Sequence, residues 1–311
     1  MSVRISARLL WQKSGVCFQI LSDLHLELGQ QYSHFHIPAS APYLILAGDI
    51  GNLCHYQPYL DFLRRQCENF RQVFLVLGNH EFYGISRNEG LRLAALLEQE
   101  AALQGKLKIL NRARVDIFSH VVILGCTLQS CISPSSRAII ERKVKDFKRI
   151  QQWTVDDHNA EHSRDVAWLK QQISAIKKED MEKGHRFRRI LVVTHHAPIR
   201  QGASRPEHEN TPWSEAFGTD LLDFVDNKGS SLLDVEWWVF GHTHYTTNTV
   251  QGTVKLISNQ RGYVLPKSDE EGLATRPKMA MLRFIQYLSP CFRSHIHHRK
   301  HDFDVCRTIK V

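Results

Sequence analysis

The sequence lacks a hydrophobic run long enough to cross a lipid bilayer, and it is poor in cysteine. No apolar stretch approaches the roughly 20 residues that a transmembrane helix needs. The seven cysteines are odd in number and irregularly spaced, unlike the patterned even set of a secreted disulfide framework. A secretory signal is also missing, because no apolar stretch precedes a small-residue cleavage site. These absences argue against a membrane-spanning or disulfide-stapled protein and favour a cytoplasmic enzyme.

Acidic residues are missing from positions 1–19, where basic residues and serines are scattered. That composition is faintly similar to an organelle transit peptide. The simpler interpretation is an N-terminal extension, residues 1–16, that precedes the first strand. We therefore expect a cytoplasmic protein, with organelle targeting as the alternative.

The net charge of +8 raises the question of nucleic-acid binding, so its location matters. Residues 276–311 contain eight lysines and arginines but only two acids. The excess is therefore concentrated in the C-terminal part, and a nucleic-acid partner is not predicted. We interpret residues 265–302 as an insertion or flexible basic segment, whose histidines could bind metal adventitiously. Residues 303–311 resemble a closing strand of the main domain.

Apolar strand-like runs alternate with helical patterns along residues 17–264. Continuous apolar runs are typical of strands buried on both faces, and they occur at 18–21, 43–47, 73–77, 121–124, 190–193 and 237–240. Helical patterns lie between them, at 59–70, 88–104, 137–150 and 161–178. Neither an internal repeat nor a linker rich in proline and glycine divides this range. The sequence predicts one layered α/β domain, residues 17–264.

Short polar motifs follow several of the predicted strands directly. In chain order they are Asp23-Leu24-His25, Gly48-Asp49, Gly78-Asn79-His80-Glu81, His195-His196 and Gly241-His242-Thr243-His244. The loops at the carboxyl ends of such strands converge into one crevice. Carboxylates, an amide oxygen and imidazoles suit divalent metal ions. The ordered set therefore predicts a metal site that acts on phosphate.

The spacing of these motifs suggests how two ions would be shared. Asp23 and His25 lie two residues apart, so on an extended segment both could face one ion. His242 and His244 have the same spacing and could offer an imidazole to each ion. Two metal ions about 3.5–4 Å apart need a bridging anion, and a carboxylate such as Asp49 can span them. Singly, each residue could equally be a turn cap or a core histidine.

The ordered motifs resemble the calcineurin-like metallophosphoesterase superfamily over residues 18–245. The resemblance implies an α/β/β/α sandwich, in which central β-sheets are flanked by helices. Smaller similarities, at 125–128, 162–169 and 258–263, suggest a subgroup of uncharacterised microbial and fungal phosphoesterases. The resemblance also implies two divalent metal ions, with manganese, iron and zinc as the candidates.

The resemblance assigns a role to each position of the motifs. The first ion would be held by Asp23, His25, Asp49 and His244. The second would be held by Asp49, Asn79, His195 and His242, with Asp49 bridging. His80 would contact the phosphate and protonate the leaving oxygen, and a water that bridges the metals would be the nucleophile. Because the histidine doublet offers two candidates for one ligand, His196 stays an alternative to His195. Glu81 is expected to orient the backbone rather than bind metal.

The motif that begins at Gly48 departs from the best-known branch. Gly48-Asp49-Ile50-Gly51-Asn52 lacks the Gly-Asp-x-Val-Asp-Arg-Gly pattern of serine/threonine protein phosphatases. We therefore expect a small phosphorylated substrate, cleaved by a phosphomonoesterase or phosphodiesterase. The alternatives are a catalytically silent scaffold for protein partners and a metal-dependent nuclease. Residues 128–164 could form a lid over the crevice, and residues 202–217, which include Trp213, form a second candidate substrate loop.

Overall fold

The computed structural model describes residues 15–184, 187–223, 230–265 and 303–311. Most of the predicted N-terminal extension (1–14) and most of the predicted basic segment (266–302) lie outside the described residues. The first seven strands are β1 (Cys17–Leu21), β2 (Tyr43–Ala47), β3 (Gln72–Val76), β4 (Leu107–Ile109), β5 (Ala113–Ile117), β6 (Val121–Gly125) and β7 (Arg189–Val193). They are followed by β8 (Trp237–Phe240), β9 (Asn248–Gln251), β10 (Val254–Ser258) and β11 (Thr308–Lys310).

The described strands form two mixed sheets. The first has the order β11-β1-β2-β3-β4, and the second has the order β5-β6-β7-β8-β10-β9. In the first sheet β1 to β4 run parallel, while β11 pairs antiparallel with β1 at the edge. In the second sheet the central strands β6, β7, β8 and β10 run parallel, and β5 and β9 close the two edges antiparallel. The parallel centres of both sheets place several strand ends on one side.

The two sheets pack face to face, and helices cover their outer faces. Ile20 and Ile45 of the first sheet share one buried cluster with Ile123 and Val239 of the second. Residues one position along, such as Leu44, belong instead to a cluster with the helices, because successive strand side chains point to opposite faces. This arrangement confirms the predicted α/β/β/α sandwich.

The described α-helices are α1 (Tyr56–Asn69), α2 (Arg87–Gln99), α3 (Pro134–Lys143), α4 (Asp146–Arg149), α5 (Val155–Glu182) and α6 (Pro206–Glu209). The helix predicted over 137–150 was wrong in extent, because the chain is extended at Val144 and divides it into α3 and α4. α5 starts earlier than predicted, since Thr154 and Asp157 form a capping box at its N-terminus. The break between α3 and α4 matters because it borders the site described next.

Candidate metal centre

The predicted site residues lie in loops that directly follow five parallel strands. Asp23 comes two residues after β1, and Asp49 comes two residues after β2. His195 and His242 follow β7 and β8 at the same spacing, and Asn79 follows β3 by three residues. The two sheets therefore each contribute to one buried group at their carboxyl ends, and the structure brings all seven predicted ligands together.

The first group of side chains consists of Asp23, His25 and His244. Their potential ligand atoms all lie within 4.8 Å of one another. Nε2 of His25 is 2.8 Å from Nε2 of His244, and the latter atom is 3.5 Å from Oδ1 of Asp23. All three residues are almost completely buried. Two imidazole nitrogens and a carboxylate oxygen thus converge on one point.

The second group consists of Asp49, Asn79, His195 and His242. Nε2 of His195 lies 3.0 Å from Oδ1 of Asn79, 3.3 Å from Oδ1 of Asp49 and 3.2 Å from Nδ1 of His242. The other carboxylate oxygen of Asp49 is 3.9 Å from Nε2 of His25 in the first group. Asp49 therefore lies between the two groups and presents one oxygen to each.

The surrounding hydrogen bonds direct lone pairs, not protons, toward the second group. Nδ1 of His195 lies 2.9 Å from the carbonyl oxygen of Ala47, so the ring donates there and leaves Nε2 as an acceptor. The amide nitrogen of Asn79 donates to Tyr83 and Asp146, which turns Oδ1 inward. These converging atoms repel one another unless a proton lies between them, as the raised pKa of His195 indicates, and a divalent cation can take the place of that proton. The donor set therefore fits a metal ion.

Backbone conformation at the candidate ligands is unusual. Five of them, all non-glycine residues, have positive φ angles: Asp23 at 53°, His25 at 48°, Asp49 at 53°, His242 at 73° and His244 at 51°. Such conformations are uncommon for non-glycine residues, although aspartate and histidine adopt them more often than most, and each costs on the order of 1–3 kcal/mol. They persist only where surrounding structure holds them, and they gather at functional sites. The tight turns at the strand ends are thus shaped to aim side chains inward.

Glu81 ties two of these turns together. Its buried carboxylate accepts hydrogen bonds from the backbone N–H groups of Asp49 at 2.9 Å and Gly78 at 2.7 Å. It also accepts from the N–H of Ile50 at 2.8 Å and the hydroxyl of Tyr59 at 3.0 Å. The carboxylate points away from both ligand groups and into the backbone. Glu81 orients the loops that carry Asp49 and Asn79, as its position in the motif suggested.

His80 lies beside both groups and is held by a carboxylate that the sequence analysis overlooked. Nδ1 of His80 is 2.8 Å from Oε1 of Glu27, and Nδ1 of His25 is 3.3 Å from the same oxygen. Burial opposes charge on Glu27, yet hydrogen bonds from His25 and His80 lower its pKa to about 2. Burial also opposes charge on His80, but Asp49 and Glu27 raise its pKa above the usual value. Nε2 of His80 lies 3.1 Å from the hydroxyl of Tyr263.

The pKa shifts of the buried carboxylates and histidines favour a positive charge among them. Burial alone would raise the pKa of Asp49, but the neighbouring histidines, His195 first, hold it well below its usual range. Burial likewise works against a charged His195, yet Asp49 raises the pKa of that ring. In the first group, burial raises the pKa of Asp23 to about 6. A buried carboxylate that draws a proton onto its neighbour is a site where a cation is favoured.

The second histidine of the doublet occupies a different place. His196 is completely buried, and its ring lies against that of His242 with centroids 4.1 Å apart. Among the described residues neither of its ring nitrogens has a hydrogen-bond partner, and burial holds its pKa well below the usual value. It is Nε2 of His195, and not a nitrogen of His196, that lies beside Asp49 and Asn79.

The sequence analysis did not single out several contributing residues, although Tyr263 ends the 258–263 stretch that resembles the family subgroup. Asp146 and Tyr83 reach Asn79 from α4 and from the loop after the His80–Phe82 turn, and Tyr263 comes from beyond β10. Glu27 had the best available signal, since it follows His25 by the same two-residue spacing that joins Asp23 and His25. Asp146, Tyr83 and Tyr263 lie beside the site because segments that are distant in sequence pack against the same end of the sheets.

A cleft of about 530 Å³ opens beside the two groups. One wall is formed by the candidate ligands and His80. The opposite wall comes from the break between α3 and α4, with Lys143 and Lys145, and from Trp213 and Phe217. Both segments are parts of the stretches predicted to border the crevice. The site is thus buried at its ligands and open on one side.

Comparison with known proteins agrees with this geometry. The model of the calcineurin-like phosphoesterase family matches residues 18–246. The chain belongs to the calcineurin-like phosphoesterase family. It is a metal-dependent phosphoesterase, and its buried carboxylate and histidine groups are the candidate metal-binding residues of this family member. Among the described residues no helix combines the length and apolar character that crossing a membrane requires.

Two known proteins are similar to this chain. The uncharacterized protein L509 of Acanthamoeba polyphaga mimivirus is 24% identical over 272 residues, which cover 78% of this chain and 90% of the viral protein. The crystal structure of phosphopantetheinyl hydrolase (PptH) from Mycobacterium tuberculosis superimposes with a TM-score of 0.59 at 16% identity. That superposition covers 80% of this chain and 90% of the hydrolase. At this identity the likeness shows a shared fold.

Proposed function

We propose that this calcineurin-like phosphoesterase is a two-metal hydrolase of small phosphate esters. The observation that carries the proposal is the position of Asp49. Its two carboxylate oxygens face different ligand groups, with Oδ1 at 3.3 Å from Nε2 of His195 and Oδ2 at 3.9 Å from Nε2 of His25. A carboxylate between two groups of converging acceptors suits a bridging ligand of a dinuclear centre.

The ligand sets follow from the two groups. We assign Asp23, His25 and His244, together with Asp49, to the first ion. A second ion is assigned to Asn79, His195 and His242, again with Asp49. When bound, the two ions supply the Lewis acidity that activates water and offsets charge on the phosphoryl oxygens. Oxygen and imidazole ligands suit manganese, iron or zinc, and metal supply decides among such ions.

His80 is the proposed proton donor to the leaving oxygen. Its ring lines the cleft, and the hydrogen bond to Glu27 fixes Nδ1 as a donor. Nε2, which lies 3.1 Å from the hydroxyl of Tyr263, is therefore the nitrogen left to serve a substrate. The Glu27 and Asp49 carboxylates favour the protonated ring. A protonated imidazole beside the cleft can stabilise the phosphoryl oxygens and then release a proton to the departing alkoxide.

A small substrate is favoured over the alternatives by the shape of the site. The ligands are buried, and they are reached through a concave cleft with aromatic residues in its lining. Concave, partly apolar clefts are typical of small-molecule sites. A nuclease needs a basic groove for many backbone phosphates, whereas two lysines border this cleft. A silent scaffold has no need for five strained backbone positions that aim ligands inward.

The test is hydrolysis of p-nitrophenyl phosphate and bis(p-nitrophenyl) phosphate by metal-stripped protein. Manganese, iron, zinc and magnesium are restored in turn, and the Asp49→Ala and Asn79→Ala variants are assayed alongside. Asp156→Asn and Asn248→Ala serve as matched controls, because both positions are exposed and lie outside the site. Metal-restored turnover that only the site variants abolish supports the proposal, and the ratio of the two rates decides between monoester and diester. Absence of turnover with every ion would overturn it.

A further inference from the structure

Asp146, the first residue of α4, contacts a candidate ligand of the second group from behind. One oxygen of its carboxylate, Oδ1, accepts a hydrogen bond from the side-chain amide of Asn79 at 2.9 Å and another from the hydroxyl of Tyr83 at 2.6 Å. The amide of Asn79 also donates to the hydroxyl of Tyr83 at 3.1 Å. The three side chains therefore form a closed ring of hydrogen bonds beside the second ligand group.

This ring decides which way the amide of Asn79 faces. The oxygen and the nitrogen of an amide are nearly equal in size, but only the oxygen can bind a cation. An ionised carboxylate accepts hydrogen bonds and donates none, so the nitrogen of Asn79 has to lie on the side of Asp146. The hydroxyl of Tyr83 donates its proton to Asp146 and accepts from Asn79. Oδ1 of Asn79 is thus directed to the ligand group, 3.0 Å from Nε2 of His195.

The charge of Asp146 also makes Asn79 a stronger ligand. The carboxylate is only 3% exposed, so water screens its charge little. A carboxylate that accepts a hydrogen bond from a metal-binding side chain raises the basicity of that side chain, as in carboxylate–histidine–zinc triads. By the same polarisation Asp146 increases the electron density on Oδ1 of Asn79. A neutral ligand thus becomes stronger while the negative charge stays away from the substrate phosphate.

The position of α4 is fixed by backbone hydrogen bonds to the segment that leads into α2. The N–H of Gly84 donates to the carbonyl oxygen of Arg149 at 2.8 Å, and the N–H of Gln151 donates to the carbonyl oxygen of Ile85 at 3.0 Å. These bonds lie on the far side of α4 from its first residue. The chain around α4 therefore holds Asp146 in place independently of the metal ligands.

We propose that Asp146 is a positioning residue that orients and polarises Asn79 and thereby sets the affinity of the second metal ion. This assignment rests on the proposed two-metal function, and it adds a residue of the candidate lid that controls one of the two ions. Its described hydrogen-bond partners are Asn79 and Tyr83, whereas the first ion is assigned to Asp23, His25, His244 and Asp49. The first ion should therefore bind as before when Asp146 is replaced.

The experiment measures manganese binding to the metal-stripped full chain by competition with a fluorescent chelator. Electron paramagnetic resonance (EPR) spectra report whether two bound ions are close enough to couple. The wild type is compared with Asp146→Ala, Asp146→Asn, Asn79→Ala and the double variant Asp146→Ala with Asn79→Ala. The control is Asp180→Ala, because Asp180 is also 3% exposed and accepts hydrogen bonds, from Arg188, at the end of α5.

Burial raises the pKa of Asp146, although hydrogen bonds from Tyr83 and Asn79 oppose the rise, so binding is measured at about pH 8. Urea unfolding establishes that each variant is folded. Asp146→Asn has the same shape as the wild-type side chain, so it carries the test if the alanine variant unfolds.

The wild type is expected to bind two manganese ions and to give the EPR spectrum of a coupled pair. Asp146→Ala should weaken the second ion about 10–100-fold without changing the first, so that the spectrum becomes that of isolated ions. Asp146→Asn keeps an acceptor oxygen but loses the charge, and it should weaken the second ion about fivefold. Because Asp146 acts through Asn79, the double variant should bind the second ion no more weakly than Asn79→Ala alone.

Three results would overturn the inference while the two-metal hydrolase stands. They are wild-type affinity for the second ion in folded Asp146 variants, additive losses in the double variant, and an equal loss in Asp180→Ala. A wild type that binds only one manganese ion would overturn both proposals together.

Discussion

Replacement of Glu81 tests whether one buried carboxylate organises the two loops that carry Asp49 and Asn79. The carboxylate accepts hydrogen bonds from four backbone N–H groups and one hydroxyl, at distances of 2.7–3.3 Å. In Glu81→Ala these buried donors lose their acceptor. Each unsatisfied donor lowers the free energy of unfolding by about 1–3 kcal/mol, but water that enters the vacated space accepts some of these hydrogen bonds and reduces the loss. Removal of one partner from a buried charged network costs about 3–5 kcal/mol, so we expect a loss of about 4 kcal/mol.

Such a loss leaves a typical protein of 5–15 kcal/mol stability still folded, so metal binding can be measured on the same variant. The affinity for manganese should fall about 10–100-fold, because residues that orient ligands have effects of that size. Glu81→Gln should not restore stability, since its amide group places a donor against backbone donors. Burial, followed by the Asp49 charge, raises the pKa of Glu81 to about 7, so urea unfolding is followed at pH 8.

The control for Glu81 is Glu100→Ala. Glu100 also accepts a hydrogen bond from a tyrosine hydroxyl, that of Tyr56 at 2.8 Å, but this bond joins the start of α1 to the end of α2 and not to a ligand loop. We expect a loss of about 1 kcal/mol there and an unchanged metal affinity. If Glu81→Ala unfolds at the wild-type urea concentration and binds manganese as tightly, the assignment of Glu81 as the organiser of the two loops is refuted.

Three further predictions concern other parts of the molecule. Burial, followed by His162, lowers the pKa of His158 to about 3 in the folded protein, whereas the pKa in the unfolded chain is about 6.5. Between these two values the unfolded chain binds the proton more readily, so the free energy of unfolding falls by up to about 1.4 kcal/mol for each pH unit of acidification. His158→Gln should therefore flatten the urea-midpoint profile between pH 6 and 4.5, and an identical profile would contradict this. Deletion of residues 303–311 removes β11 and two buried aliphatic side chains. We expect the free energy of unfolding to fall by about 3–6 kcal/mol. An unchanged melting temperature would show that β11 does not stabilise the sheet. Glu27→Gln should lower kcat about tenfold with little change in KM. If Glu27 acts through His80, the double variant with His80→Gln will be no slower than His80→Gln alone, and additive losses would disprove that route.

The sequence patterns predicted the interior of the fold well because parallel strands are buried on both faces. Leu44 to Ala47 is an uninterrupted apolar run, and all of its residues are buried. The two antiparallel edge strands of the second sheet carry no such signal. β9 consists of Asn248 to Gln251 and is exposed along its whole length, and β5 alternates charged and apolar residues on a half-exposed edge. Neither strand was predicted, since their formation depends on a neighbour that the local sequence does not show.

The candidate ligands could be found because each one follows a strand within two to four residues. That local signal places Asp23 and His242 in separate loops, and the parallel sheet topology brings the loops together. Asp146 could not be found in this way, because it does not follow a predicted strand. Its role depends on the break at Val144, which lies inside a pattern that reads as one continuous helix. The residues that line the cleft on both sides of that break were noted only as part of a long candidate lid.

The most direct test of the two-metal centre is anomalous X-ray diffraction from crystals of the manganese-loaded protein. Two anomalous peaks about 3.5–4 Å apart are expected, one beside Asp23, His25 and His244 and the other beside Asn79 and His195, with the Asp49 carboxylate between them. The Asp49→Ala protein should lose at least one of the peaks. A single peak in the wild type, or two peaks that do not share Asp49, would contradict the proposed dinuclear centre.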